Sequence, residues 1–322
     1  MTPASHPLSQ HRNRFLVVGR AGLDLYADPP GTEIEQARAF TSALGGSAAN
    51  IAVAISRQGG STALLTSVSD DAVGRFTQTQ LQSYGVDTRY ITTVGGEARN
   101  SLAVVETRVE NCQSVIYRND AADFQVTKND IDAVDLSRFT ALIVTGTCLA
   151  REPSRSATLA LLQKARTANL QLIIDIDYRP YSWISKAEAQ QVCSEAASLC
   201  DIIVGNDEEF AVLADELNGL SLAENMAKPP GRVVVYKMGA KGSITFSDGQ
   251  RFDTPIFPVT ALKPTGAGDG FMGGFLSGLA EGEALPDAVR RGSATAAIVV
   301  TRVGCAPAMP TAADVQAFMQ KV

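Results

Sequence analysis

The chain has 322 residues, a formal charge of −6 and 45% hydrophobic residues. That apolar fraction can fill a buried core and excludes global disorder. The acidic balance offers no basic face to nucleic acid, and no apolar run is long enough to span a membrane.

The start, MTPASHPLSQHRN (1–13), is polar, with no apolar segment of the secretory kind, and reads as a flexible leader. RFLVVG (14–19) is a short apolar run ending in glycine, the pattern of a buried strand. Similar runs follow at 62–68, 141–146, 170–177, 201–206 and 232–237. Helical patterns lie between several of them, as SAANIAVAISRQ (47–58), 151–168 and 185–199. The chain ends in three more, at 268–282, 285–303 and 311–322. This alternation predicts an α/β fold with a mostly parallel central sheet flanked by helices. Two stretches break it: 98–108 and 112–120 read as strands joined by the short link VEN, with 37–46 as a third. They predict a small antiparallel sheet inserted as a lid, over one domain running from 14 to 322.

Five cysteines stand at 112, 148, 193, 200 and 305 without a C-x-x-C pair, which fits reduced thiols in the cytoplasm. Both histidines, His6 and His11, fall in the leader, so acid–base chemistry in the body falls to carboxylates, lysines, tyrosines or cysteines.

The stretch KPTGAGDGFMGGF (263–275) places five glycines around one aspartate, at the start of a helix. First-turn amides of a helix lack internal partners, and the helix dipole makes that end positive. Small residues at Gly266, Ala267 and Gly268 would let those amides cradle a phosphoryl group. Asp269 beside them could cap the helix or accept a proton from an attacking hydroxyl. Neither a Walker A loop nor a full dinucleotide fingerprint occurs, which disfavours an NAD-dependent dehydrogenase.

KPTGAGDGFMGGFLSGL resembles the C-terminal signature of ribokinase-like (PfkB) sugar kinases, and GGSAANIAVAISRQG (45–59) resembles their N-terminal one. The resemblance runs from about residue 14 to the end. It implies Asp269 as general base, an anion hole from the amides of 266–268, and ATP with Mg2+ as phosphate donor. It implies Asp24, Gly45, Gly46 and Asn50 on the sugar side. On the nucleotide side it implies Asn206, Lys237, Gly239, Gly242, Ser293 and Ala297. Glu209, in an N-x-x-E pattern with Asn206, would face magnesium through water. Each of these types also serves as an ordinary turn, cap or packing residue.

Relatives often carry aspartate where this chain has Lys263, beside a monovalent cation site, so potassium activation is expected to be weak. VIYRNDAAD (115–123) and DIDYRPYSW (175–183) each bring an arginine, Arg118 and Arg179, whose planar forks suit a carboxylate. With GRAGLDLYAD (19–28) they resemble the branch of the family acting on 5-dehydro-2-deoxygluconate in inositol breakdown. Kinases of 2-dehydro-3-deoxygluconate are the runner-up, ahead of fructokinases and a non-catalytic sugar sensor. The resemblance also implies a homodimer through the lid.

Overall fold

A computed structural model describes residues 14–214 and 218–321; the leader and both histidines lie outside the described residues. The strands are β1 (Arg14–Val18), β2 (Gly22–Asp28), β3 (Ala39–Gly45), β4 (Ser61–Ser69), β5 (Ile91–Val94), β6 (Leu102–Val105), β7 (Ser114–Tyr117), β8 (Ala141–Thr145), β9 (Gln171–Asp175), β10 (Ile202–Asn206), β11 (Val233–Lys237), β12 (Ser243–Ser247) and β13 (Gln250–Thr254). The helices are α1 (Ser47–Arg57), α2 (Ala72–Ser83), α3 (Lys128–Asp132), α4 (Ser154–Thr167), α5 (Lys186–Ser198), α6 (Asp207–Leu213), α7 (Gly219–Met226), α8 (Ala267–Ala280), α9 (Leu285–Val300) and α10 (Ala312–Met319).

Nine strands form one sheet in the order β13-β12-β11-β10-β9-β8-β1-β4-β5. From β11 to β5 every pairing is parallel, and β12 and β13 add an antiparallel edge. The parallel strands are short, β-branched and buried on both faces, because helices cover both. Successive strands run outward from β1 in both directions, β4 on one side and β8 on the other. Such a reversal opens a crevice at the carboxyl ends of the strands, where ligands bind in open α/β sheets.

The second sheet has four strands in the order β3-β2-β6-β7. Its outer pairs are antiparallel, and its central pair, β2 with β6, is parallel. The expected third strand at 37–46 is β3. Two details differ from the sequence reading. The strands of the small sheet within 98–120 are only four residues each, and their link is the longer segment 106–113. Glu106 explains the extra length: its buried carboxylate accepts amides from Ile34 and Gln113 and meets Arg108, tying the connection down. β2 lies inside this small sheet, a strand whose short alternation after GRAG gave little sign of it.

The glycines of α8 have a packing role. A Cβ on Gly273 would stand 2.2 Å from the Ala54 methyl, and one on Gly274 would stand 2.2 Å from Thr295 Oγ1. Side chains there would push α8 off α1 and α9, so part of the glycine richness serves helix contact.

Candidate active site

Most candidate residues gather where the parallel strands end. β1 leads into Arg20, β9 into Asp175 to Arg179, β10 into Asn206, and β11 into Lys237. α8 begins in the same place. Gly266 is its N-cap, with a left-handed backbone (φ 83°) and no side-chain capping bond. Gly270 N–H donates to Gly266 C=O at 2.9 Å, and the amides of Gly266, Ala267 and Gly268 have no acceptor among the described residues. Asp269 therefore does not act as the cap. It sits in the first turn, partly exposed, and one carboxylate oxygen accepts Nδ2 of Asn50 at 2.8 Å.

The surroundings of Asp269 raise its affinity for a proton. Burial, with Asp177 and Asp175 nearby, pushes its pKa from 3.8 up to about 7, against the bond from Asn50. Asp175 is also pushed up to about 7, chiefly by burial. Asp177 stays below the ordinary carboxylate range: burial, the largest influence, raises it, but the Arg179 guanidinium at 2.7 Å, the Ser47 and Thr147 hydroxyls and the Arg20 charge together outweigh burial. Lys237 holds its proton despite burial, because Asp175 lies 3.6 Å away and Glu209 is close. Its Nζ also lies 3.4 Å from where a Gly268 Cβ would stand, directly beside the unbonded amides.

On the other flank stands Asp24, near the midpoint of β2. The pleat turns it inward beside Tyr26, in register with Ala43 and Ala103 of the neighbouring strands. One oxygen accepts the Tyr26 hydroxyl at 3.0 Å, and the other is buried without a partner, as is Oδ1 of Asn50. Buried polar atoms left unpaired in a cleft are ligand-facing candidates. Gly45 has a steric duty here: its Cβ would stand 1.9 Å from the Asp24 carboxylate. Gly46, at φ 100°, would meet the Arg20 carbonyl at 2.3 Å.

Asn206 and Glu209 form a reciprocal capping box on α6, and the second Glu209 oxygen accepts the Tyr178 amide at 3.2 Å. Gly239 and Gly242, both at positive φ, shape the turn between β11 and β12. Ser293 is half-buried on α9, and Ala297 packs with Phe257, Ile298 and Val315. Lys263 is wholly buried, its ammonium donating to the Thr265 carbonyl at 2.5 Å. Arg118 differs from expectation. It is bonded to Asp123 through two nitrogens, to the Thr147 carbonyl at 2.9 Å and to Ser182, with the Phe124 ring 4.0 Å from its guanidinium carbon. Its fork is therefore filled from within. It lines a cavity of about 440 Å³ with Arg151, Tyr181 and Ser182, beside the cleft.

Three residues of the cleft escape the sequence reading: Asp175, Asp177 and Arg20. The two aspartates close the apolar run LQLIIDID, where a carboxylate that must be buried is itself the signal. Among the described residues no group of three side chains forms a ready metal cage. The carboxylates facing the unbonded amides nonetheless supply hard oxygen donors, with Asp175 Oδ1 and Asp177 Oδ2 making no hydrogen bond. They fit a magnesium ion that arrives on phosphates and keeps its waters.

The chain as a whole is similar to known proteins. The model of the pfkB family carbohydrate kinase matches residues 12–312. A 5-dehydro-2-deoxygluconokinase of Photobacterium profundum is 39% identical over 302 residues, covering 92% of this chain and 91% of the relative. Another, of Geobacillus kaustophilus, is 36% identical over 313 residues, covering 95% and 93%. A fructokinase double mutant of Vibrio cholerae O395, solved with fructose, ADP and potassium, superposes with a TM-score of 0.83 at 28% identity, covering 95% of this chain and 98% of that one. A putative ribokinase II of E. coli, in complex with ATP and Mg2+, shares the fold with a TM-score of 0.88 at 20% identity, over 97% and 100%. The chain is a phosphotransferase acting on a sugar hydroxyl, and it belongs to the pfkB family of carbohydrate kinases.

Proposed function

We propose that the enzyme transfers the γ-phosphate of ATP to the 6-hydroxyl of 5-dehydro-2-deoxygluconate, a step of inositol breakdown in the cytoplasm. The observation that carries this reading is Asp269 set beside three unbonded amides at the α8 N-terminus, in a chain 36–39% identical to relatives of that name. The five free thiols suit a reducing compartment.

Asp24 and Asn50 hold the sugar's secondary hydroxyls through their unpaired buried oxygens. Asp269 then takes the proton of the primary hydroxyl as that oxygen attacks phosphorus. A base with a pKa near 7 is half-ionised at neutral pH and matched to this work. The amides of Gly266, Ala267 and Gly268, with the Lys237 ammonium beside them, stabilise the charge of the group in transfer. Asn206, Gly239, Gly242, Ser293 and Ala297 form the nucleotide side. Glu209 and Asp175 would hold magnesium through its waters, and the ion offsets phosphate charge when bound. Arg118 and Arg179 line the outer cleft. Phe40, Val115 and Tyr117 are exposed apolar residues of the lid, which supports pairing of two copies through that sheet.

A panel measuring ADP release from magnesium-ATP decides the reading. It includes 5-dehydro-2-deoxygluconate, 2-dehydro-3-deoxygluconate and fructose. The first acid is expected to give the highest kcat/KM. A higher value for either other sugar would replace the substrate, and binding without ADP release would indicate a sensor.

A further inference from the structure

We infer that Arg20 is the residue that reads the substrate's carboxylate. This rests on the sugar-acid reading above and names the side chain that enforces it.

Arg20, Arg118 and Arg179 face the cleft, and their neighbours distinguish them. Arg118 is ion-paired with Asp123, and Arg179 with Asp177. Arg20 pairs with no carboxylate among the described residues. The one hydrogen bond of its side chain there runs from Nη1 to Ser101 Oγ at 3.0 Å. Yet it is only 8% exposed. A cation so buried, with no carboxylate bonded to it, is costly unless a ligand supplies one.

Its setting is also built. Arg20 closely follows β1, at the point where strand order reverses. A Cβ on Gly22 would stand 2.6 Å from Ser101 Oγ and 3.2 Å from Arg20 Nη1, so the missing side chain makes room for this contact. The serine just precedes β6, which ties the guanidinium to the lid. The charge of Arg20 acts on Asp24, Asp177 and Tyr181, so it lies on the cleft side of the strand end. Nε and Nη2 make no bond among the described residues and offer a two-pronged donor edge to a carboxylate. A keto-deoxy acid would then lie with its hydroxyls at Asp24 and Asn50, its primary alcohol at Asp269 and its acid at Arg20.

The test compares 5-dehydro-2-deoxygluconate with its primary amide, a neutral near-isostere, in wild type, Arg20→Gln and Arg20→Lys. Wild type should prefer the acid by roughly ten- to hundredfold in kcat/KM, the size of a charge-assisted pair. R20Q should lose most of that preference through KM, with kcat for the acid within about threefold of wild type. R20K should fall between, because an ammonium keeps the charge but not the fork. An R20Q enzyme that keeps the wild-type acid-to-amide ratio, or loses both substrates equally, would overturn the assignment. Should R20Q fail to fold, R20K decides alone: an unchanged ratio overturns it. Wild type that phosphorylates fructose but neither keto-deoxy compound would overturn the substrate reading, and this assignment with it.

Discussion

Replacing Asp269 by asparagine should slow the enzyme and stabilise it at once. The carboxylate carries a pKa of about 7 in the fold against 3.8 for the free side chain. At about 1.36 kcal/mol per unit, that is roughly 4 kcal/mol of disfavoured ionisation. The group is partly open at the cleft mouth, so water reduces this to about 1–3 kcal/mol. The sign follows from linkage. A raised folded pKa means the contribution is fully present below pH 3.8 and is lost as pH rises through 7. At pH 8 the wild type therefore folds around a poorly solvated charge, and asparagine, which keeps the shape and can still accept from Asn50, removes it. The melting temperature of D269N at pH 8 should exceed wild type by about 2–6 °C, with a smaller gain at about pH 5.5. Turnover should fall by roughly 10²–10⁴ while ATP binding persists. Melting scans at the two pH values, ADP-release kinetics and nucleotide titration cover the claim. A variant less stable than wild type at pH 8, or one turning over within tenfold of it, would refute the picture of a strained base.

Wild-type kcat/KM should climb about tenfold per pH unit below neutrality and level off above pH 7, as Asp269 ionises; a flat profile through that range would remove it as the base. Asn50→Ala removes the 2.8 Å bond that holds that pKa down; the acid limb should move to higher pH, and kcat/KM at pH 7 should fall roughly three- to tenfold. An unmoved limb would mean the bond is not made in solution. Potassium at fixed ionic strength should change the rate by less than about twofold, since the buried Lys263 ammonium already meets the Thr265 carbonyl; several-fold activation would contradict this. Gly45→Ala would drive a methyl into the Asp24 carboxylate, raising sugar KM by roughly tenfold or more with ATP KM unchanged; equal effects on both would point to a general loss of structure.

How much was legible in the sequence depended on range. Apolar runs and helical spacing mark the main sheet because each element carries its own period, and β3 of the small sheet was read within 37–46. β2 was not read, since only neighbours on both sides make GLDLYAD a strand. The glycine run around Asp269 suggested a candidate anion site through local backbone rules alone, and Gly273 and Gly274 within it serve contact with α1 and α9.

The amino-acid sequence by itself determined the α/β alternation, the helix N-terminus at 266–269 and the family, because local periodicity and short motifs need no tertiary information. Only the tertiary structure decided which charges stand alone. Arg118 and Arg179 looked like ligand-binding forks until Asp123 and Asp177 were found against them, and Arg20, unremarked in the chain, is a buried arginine of the cleft that makes no salt bridge among the described residues. Pairing of charges depends on distances between strand ends far apart in sequence, and folding sets those distances.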